Sequence, residues 1–246
     1  SMNSILNQTY KNLELLITDD ASTDPTTLQL LKEYASKDER VNILYLKENH
    51  GAGYARNKSI ERAKGRYIAF CDSDDRWTTD KLEKQIAFMN KKKCALSCAS
   101  YIIFDGETQD EIGFCTAPKK ITYGMMKRDN KVGCLTAIYD VQMLGRKFFM
   151  PTIRKRQDWA LFLQIIRECK VCYAYPDKPL AYYCMRRNSI SSNKMSLMKY
   201  NIAVYKEILG FHPIKAKLYF FTLFLPTYGA KILKRKFDSY TFTHQK

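Results

Sequence analysis

The sequence predicts an α/β protein with a mostly parallel, doubly wound sheet flanked by helices. Three observations carry that prediction. Over the first two-thirds of the chain, short apolar runs alternate with helical patterns, which is how strands joined by crossover helices read. Two of the runs close on acids, Asp19-Asp20 and Asp72-Ser73-Asp74-Asp75, and ligands of such sheets sit beyond the carboxyl ends of strands. The chain has 246 residues, 46% of them hydrophobic, enough to bury the core of one large domain or of a domain with an appendage.

Taken in order, SILNQTY reads as the end of a helix, and the apolar run from Leu13 to Asp20 as a strand. Asp24-Pro25 is a helix-start dipeptide, and Leu28, Leu31 and Tyr34 then fall on one face. VNILYLKEN is the next strand, Ala52 to Ala63 a helix with Gly65 as its C-cap, and RYIAFCD a further strand. Thr79 to Asn90 repeats apolar residues at helical spacing. Beyond about residue 105 the alternation becomes irregular: a hairpin-like ASYIIFDGETQDEIGF, a helix DWALFLQIIRE and a strand-like CYAYPDKPLAYYCMRR. The last fifty or so residues are helical, aromatic and basic, with breaks expected at Pro213 and Pro226. The chain therefore divides into residues 1–104, 105–192 and 193–246, with no internal repeat.

Composition narrows the function. The net charge is +16, from 41 Lys and Arg against 25 Asp and Glu, a balance that goes with an anionic partner such as nucleic acid, anionic lipid or a phosphorylated substrate. The eight cysteines are irregularly spaced, and Cys71, Cys98 and Cys172 lie in apolar runs, so they read as reduced thiols filling the core. Cys94-x3-Cys98 and Cys169-x2-Cys172 lack a partnering pair at zinc-binding spacing. The longest apolar run, Leu218 to Leu225, falls far short of the ~20 residues that span a bilayer. His50, His212 and His244 form no cluster.

Neighbouring carboxylates repel unless they share a cation. Oxygen ligands without His or Cys suit Mg2+ or Mn2+, and Mg2+ characteristically takes one or two carboxylates plus substrate phosphates. DSDD is thus either a divalent site that grips a nucleoside diphosphate or a solvated turn before the helix near Thr79. Alone it does not decide between them. TDDASTD adds Asp19 and Asp20 at a second strand end, where a carboxylate can accept a base N–H. Between the clusters, NHGAGYARN has two glycines that let backbone approach a ligand, and Arg56 opens a helix where a phosphate would sit. Gly-x-Gly is equally an ordinary strand-to-helix turn, and Trp77 reads as packing beneath the acid loop.

Over residues 3–90, NSILNQTYKNLELLITDDASTD followed by ENHGAGYARNKSIERAKGRYIAFCDSDDRW resembles the nucleotide-binding half of the inverting family 2 glycosyltransferases, which have the GT-A fold and build bacterial cell-surface polysaccharides. The resemblance implies a nucleotide-sugar donor with UDP preferred, a glycan or lipid-linked acceptor, and Mg2+ or Mn2+. It also implies roles: Asp20, with Asp19 beside it, at the base; Asn49 and Arg56 near the nucleotide; Asp72 and Asp74 at the DxD positions, with Asp74 and Asp75 as metal ligands. KKITYGMMKRDNKVGCLTAIYDVQMLG resembles the family's acceptor-side segment. RKRQDWALFLQI resembles its catalytic helix start, with Gln157-Asp158 where the family usually has Glu-Asp, and this makes Asp158 the expected base. A carboxylate in the first turn of a helix is also favoured by the macrodipole alone.

Two departures from the family pattern matter. The pattern opens with an apolar strand and a Thr-Tyr-Asn-like turn, whereas SMNSILNQ already resembles the helix that follows. A central strand is therefore expected to be missing, with unpaired edges on both of its neighbours. Either the numbered chain lacks an N-terminal segment or it is a truncated form. Near the last strand the family often has a His after Tyr-Arg; here Arg186 and Arg187 stand instead, either holding the diphosphate or forming a basic loop. In the tail, residues 211–246 mix aromatics with lysines, which suits either a membrane interface or a hairpin that covers the core. The reading is a cytoplasmic enzyme, peripheral at the inner face of the membrane, that does not bind nucleic acid. The competing readings are a sugar-phosphate nucleotidylyltransferase and a non-catalytic polyanion- or membrane-binding module.

Overall fold

The computed structural model describes residues 1–186 and 194–244, with only the backbone for 194–197. After α1 (Met2–Leu6) the chain enters β1 (Leu15–Asp19), within the predicted run. α2 (Pro25–Lys37) starts where Asp24 accepts from the N–H groups of Thr26 and Thr27, at 3.3 and 3.0 Å, and Pro25 stands where no N–H is needed. β2 (Val41–Tyr45) pairs parallel with β1. α3 (Ala52–Arg62) ends at Ala63, so Gly65 is not its cap; the Gly65 N–H is instead held by Glu14 Oε1 at 2.9 Å. Next come β3 (Tyr67–Ala69), β4 (Arg76–Trp77), α4 (Lys81–Lys92) and β5 (Leu96–Ala99). β6 (Tyr101–Asp105) and β7 (Glu111–Cys115) form the expected hairpin.

The second half continues through β8 (Lys120–Thr122), α5 (Tyr123–Arg128), a 3-10 turn at Cys134–Thr136, β9 (Ile138–Asp140) and α6 (Val141–Leu144). α7 (Gln157–Cys169) and β10 (Val171–Tyr175) follow. The predicted strand from Cys172 is two strands: Pro176 and Pro179 interrupt it, and β11 (Ala181–Met185) joins another sheet. The tail is α8 (Lys194–Ala203), a π turn at Val204–Ile208, α9 (Pro213–Tyr219), a second π turn at Phe220–Phe224 and α10 (Leu225–His244). Pro213 opens α9 as expected. Pro226 does not break the tail; it sits in the first turn of α10, directly after the wider π turn.

The strands form sheets ordered β1-β2, β3-β9-β5-β10-β8 and β4-β11-β6-β7. The expectation of a mostly parallel sheet is corrected in detail. β1–β2, β5–β10 and β6–β11 are parallel, whereas β9 is antiparallel to both β3 and β5, and β4, β7 and β8 each pair antiparallel. β9 is reached through a 3-10 turn rather than a crossover helix, so the chain enters it from the opposite end. β1 does not pair with β3. Between them lies a groove of about 1410 Å³, lined by Leu15, Ile17, Ile68 and Phe70 among others, where the missing strand was expected. Ser1 reaches its rim, with Oγ 4.0 Å from Cys71 Sγ.

The larger core forms around α7, whose Trp159, Leu161, Phe162, Leu163, Ile165 and Ile166 are all buried. A helix apolar on most sides must be covered on most sides. The Phe162 ring lies 6.2 Å from Phe70, while Trp159 meets Tyr205 at 5.7 Å and Phe224 at 5.6 Å from the tail. The tail also closes on β7, where Phe242 stacks on Phe114 at 5.6 Å. No helix among the described residues is long and apolar enough to cross a membrane.

Candidate active site

Carboxyl ends of β1 and β3, the start of α3, the end of β11 and the start of α7 supply the site. At the end of β1, Asp20 accepts from the His50 and Gly51 N–H groups, at 2.8 and 2.6 Å, and the Asn49 side chain donates to its carbonyl at 3.1 Å. Asp20 and Asn49, both expected at the nucleotide, thus also build the loop that starts α3. Gly51 has φ +88°, a left-handed conformation that glycine adopts without strain. A Cβ on Gly53 would lie 2.5 Å from Gln157 Nε2, so glycine there lets the first residue of α7 lie against α3. Asp19 is nearly buried and accepts from the Ser22 N–H at 3.1 Å, holding the turn rather than facing the groove.

Arg56, in the second turn of α3, ion-pairs with Asp72 beyond β3. Burial disfavours the Arg56 cation, but Asp72, with Cys134 and Asp158 contributing, more than offsets this and raises its pKa. Arg56, Asp72 and Asp20 line one groove, and Arg56 senses the Asp158 charge at the start of α7. Cys134, in the 3-10 turn, feels the same acids and is pushed well up by burial, an inert thiol under the site.

The three acids after β3 take different settings. Asp74 is partly exposed, with Arg186 Nε 3.4 Å away. Asp75, expected as a second metal ligand, is 1% exposed and accepts from the Cys184 N–H in β11 at 2.9 Å. Burial, opposed by that N–H and reinforced by Asp72 and Asp74, pushes its pKa up to about 7. Asp75 therefore anchors the loop to β11, and the outward acids are Asp72 and Asp74. Among the described residues no group of three or more His, Cys, Asp or Glu side chains could hold a metal. Two hard carboxylates still fit Mg2+ or Mn2+, because such ions complete their shell with water and substrate phosphate. Trp77 packs beneath the loop as read, its Nε1 donating to the Leu135 carbonyl at 2.8 Å. Arg187 lies outside the described residues.

The expected base, Asp158, sits in the first turn of α7, preceded by Arg156 with φ +69°. Asn130 Nδ2 donates to its Oδ2 at 2.9 Å. Sequence reasoning missed Asn130; the only signal was a turn-forming Asp-Asn pair shortly before Gly133.

The model of glycosyl transferase family 2 matches residues 1–149. The chain belongs to glycosyltransferase family 2. TuaG of Bacillus subtilis, named as a putative teichuronic acid biosynthesis glycosyltransferase, is 43% identical over 218 residues, covering 88% of this chain and 84% of TuaG. WfgD of Escherichia coli, a UDP-Glc:alpha-D-GlcNAc-diphosphoundecaprenol beta-1,3-glucosyltransferase, is 36% identical, covering 81% of this chain and 76% of WfgD. Among solved structures, TarS 1-349 of S. aureus with UDP-GlcNAc superposes with a TM-score of 0.69 at 20% identity, covering 93% of this chain and 68% of that one. That likeness establishes the GT-A fold. The protein is a glycosyltransferase that uses a nucleotide-sugar donor, and family membership sets aside the nucleotidylyltransferase and the non-catalytic module.

Proposed function

We propose that this family 2 enzyme moves a sugar, with inversion, from a UDP donor to a hydroxyl of a lipid-linked glycan, as a step in building a cell-surface polysaccharide. The observation that carries the reading is Arg56, which pairs with Asp72 beyond β3, feels the Asp158 charge at the start of α7 and lines the same groove as Asp20. The donor class and acceptor class follow the activity in the name of WfgD.

In this reading Asp20, Asn49 and the Gly51 loop frame the base side of the nucleotide, and Arg56 lies toward the diphosphate. Arg186 faces the same anion. Asp74 with Asp72 would hold Mg2+ or Mn2+, and the bound ion would offset negative charge on the departing diphosphate. Asp158 takes the proton from the acceptor hydroxyl as the new C–O bond forms, while the bond to the diphosphate breaks on the opposite face. A single displacement inverts the anomeric carbon, and no covalent enzyme intermediate is needed.

The reading includes a membrane surface, at the inner face of the cytoplasmic membrane, for residues 211–246. Ile214, Leu218, Phe221 and Leu225 recur at helical intervals and are 72, 61, 54 and 41% exposed. Leu233, Phe237 and Tyr240 continue the pattern, flanked by exposed Lys215, Lys217, Lys234, Arg235 and Lys236. Apolar side chains beside cations match an anionic headgroup boundary.

The test is UDP release and product analysis with UDP-glucose and α-D-GlcNAc-diphosphoundecaprenol, with and without Mn2+. Wild type should turn over only with the metal and give a β-linked product. Asp74→Asn should lose metal-dependent UDP affinity. Asp158→Asn should bind UDP within about threefold of wild type and lose roughly 1,000-fold or more in turnover. Wild-type turnover in Asp158→Asn would remove the base assignment.

A further inference from the structure

We infer that Asn130 and Lys231 are positioning residues for Asp158, so that the C-terminal helix sets the reactivity of a base on α7. The inference rests on the reading of Asp158 as that base. Asn130 cannot swing freely: its Oδ1 accepts from the Val132 N–H at 3.1 Å, which directs Nδ2 at Asp158 Oδ2, 2.9 Å away. That bond fixes the carboxylate through one oxygen, and among the described residues Oδ1 of Asp158 has no hydrogen bond and is left for the acceptor hydroxyl. A donor and carboxylate arranged this way orient a reacting group from one step away.

The turn that carries Asn130 is itself held from a distance. Lys231 Nζ, on α10, donates to the Asn130 carbonyl at 2.6 Å and lies 3.2 Å from the Asp129 carboxylate. Asp129 is almost fully buried and is also met by Lys131 at 3.2 Å. A buried carboxylate with a cation on each side is costly to leave half-paired, so the turn stays only while α10 stays docked. Lys231 is partly covered, unlike Lys234 and Lys236, which are exposed further along the same helix. Among the described residues, the other charged or titratable groups that face Asp158 are Arg56 from α3 and Cys134 from the 3-10 turn, and no substitution at Asn130 or Lys231 touches them.

The experiment compares Asn130→Ala, Lys231→Met and Lys231→Arg with Asp158→Asn. The readouts are kcat and KM for UDP-glucose with α-D-GlcNAc-diphosphoundecaprenol, UDP affinity with Mn2+ by calorimetry, and the kcat–pH profile. Asn130→Ala should lower kcat about 10- to 100-fold, keep UDP affinity within about twofold, and move the acid limb of the profile to higher pH. Lys231→Met should lower kcat in the same direction, and Lys231→Arg, which can donate to the same carbonyl and carboxylate, should restore most of it. Asn130→Asp keeps the shape of the turn and serves if the alanine variant unfolds; it should lower kcat and move the limb at least as far. If Asp158→Asn loses turnover while the Asn130 and Lys231 variants keep kcat within twofold and an unmoved limb, the positioning role is wrong and the base stands. If Asp158→Asn keeps turnover, the base reading fails instead.

Discussion

Around α7 most of the helix meets protein: the five-stranded sheet on one flank, the π turns of the tail on the other. Around β1 only one edge is paired, to β2, and the other faces the groove toward β3. Both regions carry acids of the candidate site, and both draw on Leu, Ile and aromatic side chains, yet one is a closed core and the other a strand pair standing beside a gap. The side that holds the proposed base is fixed by burial. The side proposed to frame the nucleotide is fixed mainly by loop hydrogen bonds such as those of Asp20.

That contrast can be broken most forcefully at its closed end. Trp159→Ala should cost about 3–5 kcal/mol, because it removes a fully buried ring and leaves the Met126 carbonyl, 2.7 Å from Nε1, without its donor. Denaturant unfolding measures it, and a loss under 1 kcal/mol would mean the tail does not complete this core. Amide exchange should sharpen the contrast: Ile17 and Thr18 in β1 should exchange at least ~100-fold faster than Leu96 and Cys98 in β5, through local opening.

Lys81 gives a smaller effect with a defined pH sign. It is fully buried, its Nζ lies 4.3 Å from the Trp77 ring centre without a hydrogen-bond partner, and burial lowers its pKa to about 7. A depressed pKa means that the amine's share of stability is fully present above its unfolded value of ~10.4 and is lost as pH falls toward 7. Lys81→Met should therefore stabilise the protein by ~2 kcal/mol at pH 6, with the gain fading by pH 10, as read from melting curves across that range. Smallest is Asp20→Ala, which should cost about 1 kcal/mol by releasing the His50 and Gly51 N–H groups, along with part of the UDP affinity.

The sites at strand ends were legible because each combines a local apolar run with acids a few residues on, and α7 was legible from its apolar density after Gln157-Asp158. Local pattern also located α2, through Asp24-Pro25. What escaped depends on distant partners. Lys231 reaches a turn 101 residues away, and nothing in either segment names the other. Asp75 looks like Asp74 in sequence, and only the Cys184 N–H, 109 residues on, turns it inward. β9 is three residues long and was invisible as a strand until its two neighbours bracketed it. Gly65 was misread because glycine after a helix can serve a neighbouring carboxylate as readily as a cap.

The bond between Asp75 and Cys184 reaches further than the stability of one loop. It fastens the acid loop to β11 two positions before Arg186, and Arg76 and Trp77 pair with Tyr182 and Ala181 of the same strand. Acid loop and arginine strand are thus one mechanical unit. Were the proposed Mg2+ or Mn2+ to bind at Asp74, only the Arg186 side chain, 3.4 Å away, would have to rotate aside, and the loop and strand could keep their backbone as the counter-charge is exchanged for the cation.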